Sequence, residues 1–172
     1  MKLSRREWVE MLVVSLLCSQ CLGAPASVGA ESIAVQQRYS GQYHSEVGFS
    51  LGKERPFPPR VIRSEKEFRL FKEGLPEYAV TKMRPAPKNR DPLRNASPIE
   101  FSKSMLLVVF NTHSGAPPEI ASVEEREAEI VVRFFRFAPD ACAMCADASG
   151  TGSYAAVLVP ASRARVRFTE VE

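Results

Sequence analysis

From Met105 to Asn111 the chain is apolar almost without interruption, through Leu106, Leu107, Val108, Val109 and Phe110. A run of that length is short for a helix and reads as a central strand covered on both faces. Other stretches alternate instead. Ile130, Val132 and Phe134 share one side of the stretch Glu129–Phe137, and Ile120–Glu124 precedes it across Glu125-Arg126-Glu127-Ala128, the pattern of a hairpin. Tyr154–Val159 is a further strand, ended by Pro160. In Arg163–Phe168, Ala164, Val166 and Phe168 point one way and Arg163, Arg165 and Arg167 the other. Three outward arginines suit a sheet edge, where charge discourages pairing with a stray strand. Nearer the start, Ile33, Val35, Tyr39, Tyr43, Val47 and Phe49 are spaced as one or two strands, punctuated by Gly41, Gly48 and Gly52. Arg60–Arg63 is a short strand that follows the proline-rich stretch 53–59.

The period changes once. Ser64-Glu65-Lys66-Glu67 has the form of a capping box, in which the serine hydroxyl and the glutamate side chain each satisfy a free amide at a helix start. Phe68, Phe71 and Leu75 then fall at helical spacing on one face, and Gly74 and Pro76 end the helix. Between 82 and 98, Lys82, Arg84, Lys88, Arg90 and Arg94 are interspersed with Pro85, Pro87, Pro92 and Pro98, which predicts a long exposed loop without regular structure. These elements add up to a mainly β, α+β fold: an antiparallel sheet or sandwich of about six to eight strands with one packed helix.

The first 30 residues have a different character. Lys2, Arg5 and Arg6 precede an apolar run from Met11 to Leu22, and small residues ending in Val28-Gly29-Ala30 follow. This is the order of a signal peptide, and the run falls short of the roughly 20 residues that a membrane-spanning helix needs. Ser4-Arg5-Arg6-Glu7-Trp8-Val9 resembles the twin-arginine export motif, with Trp8 where phenylalanine is usual and Glu10 where lysine often stands, so the ordinary secretory route stays open. No convincing lipobox precedes Cys18 or Cys21, which argues against a lipid anchor. The expected organisation is a signal peptide over 1–30 and a single domain over 31–172, exported to the periplasm or the medium, with no transmembrane segment in the mature chain.

Charge and composition exclude several classes of function. The net charge of +3 on 172 residues is too even for a nucleic-acid partner, and the basic loop 82–98 has no interleaved aromatic residues on which bases could stack. No Gly-x-Ser-x-Gly elbow, phosphate loop or dinucleotide glycine pattern is present. His113 beside Ser114 does not make a triad, which geometry and not adjacency defines. Glu124, Glu125, Glu127 and Glu129 sit at the predicted hairpin as its wet face. Cys142-Ala143-Met144-Cys145 is the one motif with chemical potential. In an oxidising compartment the pair reads first as a structural disulfide. A redox centre or half of a zinc site, with His44 and His113 as the available nitrogen donors, is the alternative class. No catalytic residue, cofactor or metal site is expected, and the chain reads as a non-enzyme.

The order of the pieces resembles the PrcB-like family. The matching residues are Tyr39-Ser40-Gly41; Arg60-Val61-Ile62-Arg63-Ser64-Glu65-Lys66-Glu67-Phe68; Ile99-Glu100-Phe101-Ser102-Lys103-Ser104-Met105 running into Leu106–Phe110; Ser153-Tyr154-Ala155-Ala156-Val157-Leu158-Val159-Pro160; and Val166-Arg167-Phe168. The resemblance implies an exported, non-catalytic domain that stabilises a partner protease or another exported protein. After the central strand the family has a Thr-Gly-Gly-Tyr turn; here Thr112, His113, Ser114, Gly115, Ala116, Pro117 and Pro118 stand in its place. Loops on a rigid frame commonly carry binding residues, and these seven are the expected partner contact.

Overall fold

The alternating stretches become eight strands among the residues that the computed structural model describes, 30–44, 57–79, 84–111, 116–137 and 151–172. One sheet has the order β1 (Glu31–Ser32), β5 (Glu119–Arg126), β6 (Glu129–Phe135), β8 (Arg165–Glu170). The other has the order β2 (Gln37–His44), β7 (Thr151–Pro160), β4 (Ser104–Asn111), β3 (Arg60–Ile62). All pairings are antiparallel except β6 with β8, which run parallel because the chain crosses to the other sheet as β7 before it returns. Among the described residues the fold is the expected mainly β one, a sandwich with one helix packed on it. Residues 1–29, with the export features, and Cys142 and Cys145 lie outside the described residues.

The unbroken apolar run now has a physical cause. β4 lies inside its sheet, between β7 and β3, and both faces of that sheet are covered, so all eight of its residues are buried. Leu106, Val108 and Phe110 face a core shared with Tyr39, Tyr43, Phe68, Phe71 and Tyr154, on the helix side. Met105, Leu107 and Val109 face a second core shared with Ile120, Val123, Ile130, Val132 and Phe134, between the sheets. The helix, the β2-β7-β4-β3 sheet and the β1-β5-β6-β8 sheet are therefore three layers with two cores.

The helix α1 (Glu65–Glu73) forms where the capping signal stands. Ser64 Oγ accepts the Glu67 amide at 3.3 Å, while Glu67 Oε2 accepts the amide of Arg63, one residue before the cap, at 2.7 Å. Phe68, Phe71 and Leu75 are buried. Phe71 stacks on Tyr43 with centroids 5.5 Å apart and meets Tyr154 edge-on at 5.4 Å, so the apolar stripe locks the helix to β2 and β7. Gly74 caps the helix in a right-handed conformation, φ −81°. Its need for glycine comes from contact and not from backbone angle: a Cβ there would lie 2.4 Å from the Tyr43 ring.

Two expectations need correction. The stretch 82–98 was expected to be an exposed loop, yet within its described part Asp91 and Leu93 are buried, and Arg94 donates to the Leu75 carbonyl at 2.8 Å. The prolines do prevent regular structure, leaving among the described residues the isolated bridge Tyr78–Lys88, but the loop is anchored through its middle. β7 begins earlier than expected, at Thr151 and not at Tyr154, and ends at Pro160, which pairs with Ser104 as its last residue. β8 matches its pattern, since it is an edge strand that turns Val166 and Phe168 to the inter-sheet core and leaves Arg165 and Arg167 exposed.

Candidate functional site

Of the seven residues expected to contact a partner, Thr112, His113, Ser114 and Gly115 lie outside the described residues, and Ala116, Pro117 and Pro118 are described. β4 ends at Asn111, whose side chain is buried. Its amide donates to the carbonyls of Ala116 at 3.3 Å and Phe137 at 3.1 Å, and Ser153 Oγ donates to the same Ala116 carbonyl at 3.4 Å. One buried side chain thus ties Ala116, in the Thr112–Pro118 stretch, to Phe137, just beyond the end of β6. Arg136 adds a second clamp, with Nε donating to the Phe110 carbonyl at 2.8 Å and its guanidinium paired with Glu170. His44 pairs with Thr151 and Asn111 with Ser153, so the ends of β2 and β4 and the start of β7 lie together at this pole.

From there Pro117 and Pro118 run alongside β2. Pro118 is buried and Pro117 exposed, and with Pro92, Arg38, Tyr39, Ser40 and Ile120 they line a groove of about 320 Å³. Arg38 spans it, with Nη1 donating to the Ile120 carbonyl at 2.8 Å, beside the register shift in β5 between Ile120 and Ser122.

The groove owes its other wall to a buried polar pair that the chain pattern does not announce. Asp91 Oδ1 accepts the amides of Leu93 at 2.9 Å and Arg94 at 3.1 Å, the arrangement of an aspartate that caps its own turn. Tyr154, fully buried on β7, donates its hydroxyl to the same carboxylate at 2.8 Å. Burial first, then the charge of Asp91 and the bond to it, raise the Tyr154 phenol far above its ordinary range. A Cβ on Gly41 would lie 1.8 Å from Asp91 Oδ2, so glycine is what lets the carboxylate reach the sheet. The available sequence signal was Asp91-Pro92, an aspartate followed by proline, which initiates turns. The pair is enclosed and its bonds hold the loop onto the sheet.

The hairpin carboxylates are engaged at the surface. Glu124 accepts from Arg126 at 2.7 Å and from Ser122 at 3.0 Å, and those bonds hold its carboxyl below the usual range. Glu129 bridges to Arg167 at 2.9 Å and faces Arg165 at 3.9 Å. Among the described residues no group of three or more His, Cys, Asp or Glu side chains could hold a metal ion, and no helix is long and apolar enough to cross a membrane. Comparison with family models, with curated proteins and with solved structures found no match to this chain.

Proposed function

We propose that this chain is an exported, non-catalytic protein-interaction module, which stabilises a partner protease or another envelope protein as the PrcB-like resemblance implies. The observation that carries the reading is the mounting of Ala116–Pro118. Its first carbonyl is held by two side chains, Asn111 and Ser153, and its prolines are stiff, so little ordering cost remains to be met on binding. The export half rests on the order of charged, apolar and small residues before Glu31.

Two experiments test the two halves. Full-length protein captured from its own cell envelope is expected to bring down one partner at constant ratio. Replacing Thr112–Pro117 by a Gly/Ser stretch of equal length, with buried Pro118 kept, is expected to weaken that association about tenfold, roughly 1.4 kcal/mol, with little change in melting temperature. Undiminished association would remove the loop from the contact, and turnover of a substrate by the purified chain would overturn the non-enzyme reading. For export, Arg5→Lys with Arg6→Lys is expected to leave uncleaved precursor in the cytoplasm; normal export of this variant assigns the chain to the ordinary secretory route.

A further inference from the structure

The arginines of β8 protect a sheet edge, but edge protection does not account for their neighbours. On the outer face of the β1-β5-β6-β8 sheet, Arg126 on β5, Glu129 on β6 and Arg165 on β8 are paired in one row. Glu124, Val131 and Arg167 make the next row. Arg133 follows on β6, opposite Ser122 and Thr169. β5 and β6 are interior strands of the sheet, so Arg126 and Arg133 guard no edge. Val131, at the centre, is buried although it belongs to neither core. The long side chains beside it therefore lie across it and carry their charged ends outward.

The two signs of charge stand at different heights on this face. Glu124 is 18% exposed and accepts from Arg126 at 2.7 Å. Glu129 is 31% exposed, accepts from Arg167 at 2.9 Å and faces Arg165 at 3.9 Å. The arginines rise above them, with Arg126 at 45%, Arg167 at 54% and Arg165 at 86%. Arg133 is exposed as well, and it acts on Glu124 through its charge, without a hydrogen bond or ion pair among the described residues. A molecule that approaches this face meets guanidinium groups first, and those of Arg133 and Arg165 have donors to spare for it.

We infer that the outer face of β6 and β8, at Arg133, Arg165 and Arg167, is a docking surface for an extended acidic segment of a partner protein. The inference rests on the interaction-module reading and gives the charge of the partner. Guanidinium forks match carboxylates in shape and sign. Arg165 and Arg167 repeat two residues apart, about 6.6 Å along the strand, which is also the spacing of alternate side chains in an extended guest. Recessed Glu124 and Glu129 oppose the denser charge of a phosphate backbone or a lipid surface, and separately placed carboxylates avoid them. A second copy presents the same positive face and is repelled by it.

The test titrates a fluorescent peptide of strictly alternating Glu and Ser onto the full-length chain and follows its polarisation. The peptide is expected to bind the parent, its Lys-Ser counterpart is not, and raising salt from about 50 to about 300 mM weakens binding at least about fivefold. Arg133→Gln with Arg165→Gln is expected to weaken binding at least about tenfold at an unchanged melting temperature, since neither side chain holds a close bond. Lys66→Gln with Arg69→Gln, on exposed positions of α1 at the opposite surface, removes the same charge and should change binding less than about twofold. The inference is overturned if the acidic peptide does not bind, if both double variants weaken it equally, or if a short DNA duplex or a phosphatidylglycerol vesicle binds this face more tightly than the peptide. An envelope partner that is lost on replacing Thr112–Pro117 but kept by Arg133→Gln with Arg165→Gln overturns this docking face alone and leaves the interaction-module reading intact.

Discussion

Asp91, Tyr154 and Gly41 form the smallest unit on which the architecture depends. The carboxylate is buried, so its charge is tolerable only while the Tyr154 hydroxyl and two loop amides bond to it. Tyr154→Phe removes the hydroxyl and keeps the ring, and is expected to lower stability near neutral pH by about 2 kcal/mol, the scale of a hydrogen bond to a charged group. The pH dependence has a definite sign. The folded phenol holds its proton more tightly than an unfolded one, whose ordinary value is 10.0. Its contribution is complete below that pH and is lost above it, because the unfolded chain ionises first. Denaturant titrations between about pH 8 and 11 should show stability falling in the parent and falling less in Tyr154→Phe. Tyr39, whose phenol burial also raises, keeps part of the decline in both proteins. An identical decline in the two would place the alkaline sensitivity elsewhere.

At the scale of elements, α1 shows local and tertiary causes acting together. Ser64 and Glu67 satisfy start-of-helix amides within four residues of each other, which is why the helix was legible in the sequence. Ser64→Ala is expected to cost about 1 kcal/mol by thermal or denaturant unfolding, and Ser64→Asp to restore most of it. No loss in Ser64→Ala would mean that packing of Phe68 and Phe71 alone determines the helix start. The hairpin shows the opposite case. Its turn is made by Glu127 and Ala128, with Glu127 in the left-handed region at φ 55°, although neither residue favours that conformation. The turn is set by the pairing of Val123 with Val132 and of Glu125 with Ile130 on either side, so the sequence marked a hairpin but not its tip.

For the molecule as a whole, β4 is the shared wall of two cores. Leu106→Ala opens a cavity toward the helix and Leu107→Ala one between the sheets, and each is expected to cost about 2–5 kcal/mol. Because the same strand lines both, each variant should still unfold in one cooperative transition when followed by helix-sensitive and by aromatic signals. Separate transitions in Leu106→Ala would mean that the helix layer unfolds apart from the sandwich.

Strand periods, the capping box and the apolar run at β4 follow from interactions between near neighbours in the chain, so a mainly β domain with a capped helix, a doubly covered central strand and an arginine-bearing edge could be read from the pattern alone. What depends on partners far apart in the chain came from the folded arrangement. β6 and β8 run parallel because β7 intervenes in the other sheet. The loop before Ile99 is anchored because Asp91 finds Tyr154, 63 residues away. Pro92, Pro117 and Pro118 line one groove with Arg38, Tyr39 and Ser40 of β2 because that anchor and the Asn111 clamp bring the two loops to the same strand. A one-dimensional pattern reports which face of an element is apolar, but not which distant group will satisfy a buried charge or which distant loops will line one groove.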